Sequence, residues 1–446
     1  MGDWDGLRAA VRGRVVLPGE GGFATAKQLF DTRFDAAAPV AVVQVTSEQD
    51  VQAAVDFAGA HGLTVTVRSG GHSYVGASAA DSTLVIDMRG LNDVRYETGS
   101  GSSGSAVVGG GASLYAVHQR LAESGQTLPL GSCATVSTGL TLGGGVGVES
   151  RRYGLSCDRL ERARLVLADR KLVEVSATNQ PDLFWALRGG GGGQVGVVTS
   201  LTYRTCPAIT KDIVQLTFPG AAVARVLTGW ADWLRTTDRD TWANIVLGAN
   251  GAGGVTCRVL LVCPAGKGDP ATTTLAAATG AVPLTTNRRT FQHLDAVRFL
   301  AGDTDPPRTV FVAGSDVVPE LSIEVAAAVA ETLGDRSRSG LSGGVILDPL
   351  DGAVQDIPIG DTAFPWRKHT AVMQWFVAEP NDPGEAAHWI TTAHDRLGAH
   401  SVGGYVNYLE PGYTPRRYFA ENLDRLRRIR AVTDPVDRFR SSPALW

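Results

Sequence analysis

Two glycine-bearing turns, about sixty residues apart, constrain this 446-residue chain more than any other feature. Arg68-Ser69-Gly70-Gly71-His72-Ser73-Tyr74 presents a histidine, and Gly131-Ser132-Cys133-Ala134-Thr135-Val136 presents a cysteine. Glycine tolerates backbone angles closed to other residues, so each segment reads as a tight turn exposing one nucleophile. Strand-like and helix-like patterns alternate between them. A chain built this way can fold both turns around one flat cofactor and bond to it twice.

The surrounding pattern places both turns in one module. Pro39–Val45 reads as a strand, and Thr46 or Ser47 can cap a helix over Val51–His61. Leu63–Val67 is the next strand and runs directly into the histidine turn. Strands at Leu84–Met88 and Ala106–Gly109 and a helix at Leu114–Glu123 lead to the cysteine turn. Beyond it come the loop Gly139–Gly147, strands Arg162–Leu167 and Leu172–Val175, and a helix at Asp182–Leu187. Five glycines, Gly189 to Gly193, then precede a strand at Val195–Tyr203. A dinucleotide fingerprint needs strand, glycine turn and helix in that order. Here the order is reversed, which argues against that fold. Glycine loops can instead cradle a pyrophosphate with exposed backbone N–H groups, and Gly70–Ser73, Gly139–Gly145 and Gly189–Gly196 supply three.

From Cys206 the texture changes. Strands are expected at Asp212–Phe218, Ala243–Leu247, Val255–Val262, Thr309–Val312, Gly343–Leu347 and Thr370–Val377. Amphipathic helices over Ala222–Thr236 and Pro319–Leu333 would cover one face of that sheet. A basic helix is expected at Phe419–Ile429. The expected architecture is α+β, with a two-subdomain binding module over 1–205 and a second domain over 206–400 built on an antiparallel sheet covered by helices. Residues 401–446 would return to the first domain and complete the site.

The two turns resemble the flavin attachment loops of the berberine bridge enzyme-like oxidases, within the vanillyl-alcohol oxidase flavoproteins. The resemblance spans nearly the whole chain and is strongest over 39–205 and 402–446. It implies FAD bonded covalently twice, through His72 to the 8-methyl carbon and through Cys133 to C6 of the ring. Neutral imidazole is nucleophilic near physiological pH, and a cysteine attacks as its thiolate. By the same resemblance Arg68, Ser69, Gly70, Gly71, Ser73, Thr135, Val136, Gly139, Gly143, Gly144, Gly145, Gly196 and Val198 belong to the cofactor-binding set, together with Asn407. Ala134 stands where the family usually has proline.

Tyr405-Val406-Asn407-Tyr408 resembles the family's Tyr-x-Asn motif. If the segment is a strand, Tyr405 and Asn407 share one face, and the resemblance makes Tyr405 the general base with Asn407 beside it. A tyrosine acting near neutrality needs a lowered pKa or a partner to take its proton. Arg367 is the candidate cation, and Gln374 a candidate hydrogen-bonding residue. Trp366 stands where relatives often have histidine, Val146 where some have an aromatic residue, and nothing in the sequence accounts for Glu149. The implied reaction is oxidation of an alcohol or amine with transfer of the electrons to oxygen, in secondary metabolism. Val136 favours oxygen as acceptor, since reactive relatives tend to carry valine there. A dehydrogenase with another acceptor, or a non-redox lyase or binding protein on the same scaffold, fits the same residues.

Composition closes off other classes. A net charge of −4 gives no reason to expect nucleic acid or an anionic membrane as partner. No apolar run reaches the roughly 18 residues of a membrane span. The acidic first residues, Met1 to Asp5, are not followed by an apolar stretch, so a cytoplasmic protein is expected. Five cysteines without a CxxC pair suit neither a disulfide scaffold nor a zinc site, and no metal is expected. The expected partners are a small-molecule substrate and molecular oxygen, with the chain as monomer or homodimer.

Overall fold

Four sheets organise the chain in a computed structural model that describes residues 3–99 and 104–440. Met1, Gly2 and 441–446, which belong to the expected terminal segments, lie outside the described residues. The first sheet runs in the order Arg14–Val16, Ala41–Gln44, Leu84–Asp87, Val65–Arg68, and its last three strands are parallel. Such a strand is buried on both faces and needs a continuous apolar run; Val42, Val43, Val65, Val85 and Ile86 are fully buried. The helix Glu48–Ala60 starts three residues before the expected Val51 and is capped by Ser47, one of the two expected caps, whose Oγ accepts the Asp50 N–H at 3.1 Å.

A second, five-stranded antiparallel sheet orders Val94–Glu97, Ser105–Gly109, Val197–Arg204, Leu160–Val166 and Leu172–Ser176. The five-glycine run lies between the helix Pro181–Ala186 and the strand Val197–Arg204, so helix, glycines and strand follow in that order. Cys206–Pro207 pairs with Gln126–Thr127 in a short two-stranded sheet.

The largest sheet is antiparallel with seven strands, in the order Thr285–Phe291, Lys211–Phe218, Val255–Pro264, Trp242–Asn250, Ser342–Pro349, Ala371–Ala378, Phe311–Val318. Alternation along its strands decides what each face does. Ala243, Ile245, Leu247, Val259, Leu261, Val345, Leu347, Met373 and Trp375 face the helices Val223–Thr236 and Ile323–Arg338 in one apolar core. Each Val, Leu, Ile or Met side chain buried in it contributes about 1.5–3 kcal/mol. The intervening residues, Trp242, Asn244, Leu260, Ile346, Asp348 and Gln374, line a cavity on the other face.

Several boundaries differ from the sequence expectation. The strand placed at Thr309–Val312 runs from Phe311 to Val318, and the helix placed at Pro319 starts at Ile323, where Ser322 caps it. The basic helix runs from Leu423 to Thr433. Thr285–Phe291 is an edge strand whose polar side chains are almost all exposed, so it shows no alternation to read.

A buried ionic clamp ties the segment after Gly403 to this sheet. His394 Nδ1 lies 2.6 Å from Asp316 Oδ2 and its Nε2 lies 2.7 Å from Glu410 Oε2, while Arg417 reaches Asp316 Oδ1 at 3.1 Å. Burial lowers the affinity of His394 for a proton, but hydrogen bonds and charge from Asp316 and Glu410 overcome it and raise its pKa to about 9. A histidine raised from about 6.5 contributes its full stabilisation below pH 6.5 and loses it as the pH rises through about 9. The melting temperature is therefore expected to fall between pH 7 and pH 9 more steeply in the parent than in His394→Gln, as followed by thermal denaturation.

Residues 434–440 return to the first sheet. Val65 N donates to Arg438 O at 2.8 Å, Arg440 N donates to Val65 O at 2.9 Å, and Phe439 is fully buried.

Candidate active site

The two attachment turns meet at Ser137. Its Oγ accepts the Gly70 N–H at 2.7 Å and lies 2.5 Å from Ser69 Oγ. A Cβ at Gly70 would stand 2.9 Å from the Ser137 nitrogen and 3.0 Å from the Thr135 oxygen, so only glycine lets the two loops approach this closely. Gly71 turns the chain with φ +76, a value an L side chain rarely adopts. Arg68 lies beneath the turn, donating to Ala26 O at 3.0 Å and pairing with Asp87 at 3.6 Å.

His72 is held from two sides. Its Nε2 lies 3.0 Å from Thr135 Oγ1, and the Phe30 ring stacks on it at 4.4 Å. Burial, assisted by the Arg68 charge, pushes its pKa down to about 4 against the opposing effect of a hydrogen bond to the Thr135 backbone. The imidazole is thus neutral at physiological pH, as a nucleophile must be. Cys133 is solvent-exposed, and both residues line the same cavity of about 570 Å³.

The same cavity is lined by a polar group drawn from the large sheet, from the turn after Gly404 and from Tyr74 at the end of the histidine turn. Tyr74 and Tyr408 stack with centroids 5.5 Å apart and planes within 10°. Gln374 Nε2 donates to Tyr74 Oη at 2.6 Å, and Asn244 Nδ2 donates to Asp348 Oδ1 at 3.1 Å. Burial raises the Asp348 carboxyl to about 6 despite that hydrogen bond. Burial, with the charges of Tyr74 and Asp348 nearby, holds the Tyr408 phenol well above its ordinary value.

Residues 39–176, which contain both turns, match the FAD binding domain family, and residues 404–445, which contain Tyr408, match the berberine and berberine-like family. The chain is 31% identical to the uncharacterised FAD-linked oxidoreductase YgaK of Bacillus subtilis (strain 168) over 413 residues, 90% of each chain. The chain belongs to the berberine bridge enzyme-like FAD-linked oxidoreductases. Its fold resembles that of the xylooligosaccharide oxidase of Myceliophthora thermophila C1, with TM-score 0.86, 25% identity, and coverage of 97% of this chain and 96% of that one. It also resembles the glucooligosaccharide oxidase of Acremonium strictum, with TM-score 0.87, 24% identity and 99% coverage of both chains.

The cavity of this oxidoreductase suits FAD. Gly139 and Gly192 line it, and a Cβ added at either meets nothing closer than 3.5 Å, so side chains there would occupy space a cofactor needs. Ser69, Gly70, Gly71, Ser73, Val136, Gly196, Val198, Asn407 and Gln374 also line it. Thr135 acts through His72, while Gly143, Gly144 and Gly145 lie behind the wall. A Cβ at Gly143 would reach Asn407 Oδ1 at 2.1 Å.

Two expectations for the berberine bridge enzyme-like site are corrected. Residues 405–408 do not form a strand: Tyr405 precedes a single 3-10 turn, Val406–Tyr408, so alternation does not apply. The Tyr405 hydroxyl accepts the Gly145 N–H at 2.8 Å, the Val146 N–H at 3.4 Å and Asn407 Nδ2 at 2.7 Å, fixing the glycine loop from behind, and Tyr408 takes the cavity position. Arg367 is no partner of Tyr405. It is fully buried in a bidentate pair with Asp158, at 2.8 and 2.7 Å, and donates to Thr362 Oγ1 at 2.8 Å.

Sequence reasoning missed Tyr408, Asp348, Asn244, Tyr74 and Ser137. A polar residue between apolar neighbours on a strand, as at Asn244 and Asp348, was the available signal. Glu149 pairs with Lys211 at 2.6 Å, and Trp366 donates to Gly404 O at 2.9 Å, supporting the turn that carries Tyr408.

Proposed function

We propose that the enzyme is an oxidase with FAD bonded to both His72 and Cys133, oxidising an alcohol or amine and reducing oxygen to hydrogen peroxide. What supports this reading is one cavity lined both by two attachment nucleophiles, His72 and Cys133, and by Tyr408 and Asp348. The flavin described for the Acremonium strictum oxidase, 6-S-cysteinyl, 8α-N1-histidyl FAD, carries the same two kinds of linkage. When bound, FAD supplies the hydride acceptor. The chain supplies the proton path. Because the Tyr408 phenol is neutral at rest, it accepts the substrate hydroxyl proton at Oη while passing its own proton to the Asp348 carboxylate. Gln374 fixes Tyr74, whose ring stacks on Tyr408 and limits its rotation. Val136, lining the cavity with a small side chain, leaves room for oxygen.

Absorption spectrum and peptide mass after acid denaturation test the linkage. Flavin retained on peptides containing His72 and Cys133 is expected, and a protein that releases all its flavin overturns the bicovalent reading. Thr135→Val slows attachment at His72 about tenfold, the equivalent of one hydrogen bond, as followed by flavin fluorescence of the denatured protein over time. Slow reoxidation by air in stopped flow would instead favour another acceptor.

Asp348 must be ionised to take a proton, so kcat/KM rises as the pH rises through about 6. In Asp348→Asn that ascending limb disappears, and a pH profile of both proteins measures it.

A further inference from the structure

Outside the polar group of Asn244, Asp348, Gln374 and the two tyrosines, the side of the cavity formed by the large sheet is apolar. Trp242, Leu260 and Ile346 project from neighbouring strands of the large sheet, and Leu300, Phe311 and Val148 extend the apolar surface. The polar side chains on the sheet face, Asn244, Asp348 and Gln374, are already committed in part: Asn244 Nδ2 to Asp348 and Gln374 Nε2 to Tyr74. A saccharide ring presents several hydroxyls, and each one buried without a partner lowers affinity roughly ten- to a hundredfold. An aromatic or polycyclic framework buries its surface against the same wall at a gain.

Among the described residues, two polar atoms on this wall have no hydrogen-bond partner, Trp242 Nε1 and Asn244 Oδ1. Both residues are at least nine-tenths buried, at 4% and 9% exposed, and both line the cavity on one side of the same strand. Unpartnered buried groups of this kind are rare and call for a ligand or water to complete them. Trp242 supplies a donor and Asn244 an acceptor, beside the Asp348 that takes the reaction proton.

We infer that the substrate is an alcohol on an aromatic or polycyclic framework, bearing a further oxygen function that pairs with Trp242 and Asn244, and is not a free sugar or oligosaccharide. The inference rests on the proposed oxidase reading and narrows it to a substrate class.

The test uses the flavin-loaded enzyme and two probe sets: hydroxylated aromatic alcohols with and without a neighbouring hydroxyl or carbonyl, and cellobiose with xylobiose. Perturbation of the flavin absorption on titration reports binding, and anaerobic bleaching reports reaction. Oxygenated aromatic alcohols are expected to perturb the spectrum, with kcat/KM at least a hundredfold above either disaccharide. Ile346→Asn and Leu260→Gln, at unchanged flavin content and melting temperature, raise KM for them at least tenfold. Trp242→Phe lowers kcat/KM about tenfold more for the probe carrying the neighbouring oxygen than for the probe lacking it. Disaccharides that bleach the flavin as fast as the aromatic probes, or aromatic probes that leave the spectrum unperturbed, overturn the inference while the oxidase reading stands. A protein that holds no flavin overturns the oxidase reading itself.

Discussion

Tyr408→Phe slows reduction of the flavin by substrate about 10²–10⁴-fold, the range expected when a positioned proton acceptor is lost. Phenylalanine keeps the ring stacked on Tyr74, so the loss falls on chemistry and leaves packing in place. Tyr405→Phe gives a different result. Its hydroxyl accepts the Gly145 and Val146 N–H groups, and removing it leaves two amides without that partner. The expected consequence is weaker flavin retention and a lower melting temperature, with reduction of the loaded enzyme slowed less than tenfold. Anaerobic stopped flow on both variants separates the roles. If Tyr405→Phe proves the slower of the two at full flavin content, the assignment of Tyr408 is wrong.

Arg367→Ala destabilises the fold by about 3–5 kcal/mol, because it strands a buried carboxylate. The Arg367 side chain is 0% exposed and that of Asp158 is 3% exposed, so water cannot replace the missing partner. Burial alone would make the guanidinium easier to deprotonate; the Asp158 charge outweighs it and keeps the pair ionised. Urea denaturation measures the loss. Replacing both residues, as Arg367→Met with Asp158→Leu, recovers much of it, since paired apolar groups of similar size carry no desolvation cost. A single variant as stable as the parent would show that the pair contributes nothing. The same arginine read from sequence as an aid to catalysis thus serves to hold Thr362 and the 3-10 turn at Asp158 together.

What was legible in the sequence and what was not divides along a physical line. His72 and Cys133 sit in local turns whose glycines are demanded by backbone geometry, and such signals survive in a linear reading. The alternating strands of the large sheet were legible for the same reason, as was the reversed order of the five-glycine run. Tyr408 was not, because its direction depends on a single 3-10 turn where alternation predicts a strand. Asp348 and Asn244 come together only through strand register, at a sequence separation of 104 residues. Ser137 lies one residue beyond the cysteine motif, and its importance comes from a loop 67 residues earlier. Motifs reveal residues that contact the same object locally, whereas a site assembled across sheets is fixed by topology.

The strand leading into His72 is completed by backbone that arrives late. Val65 exchanges hydrogen bonds with Arg438 and Arg440, and Arg438 also donates to Leu63 O, 375 residues away in the chain. A chain that stops short of Arg438 therefore leaves unpaired one edge of the strand that leads into the His72 turn.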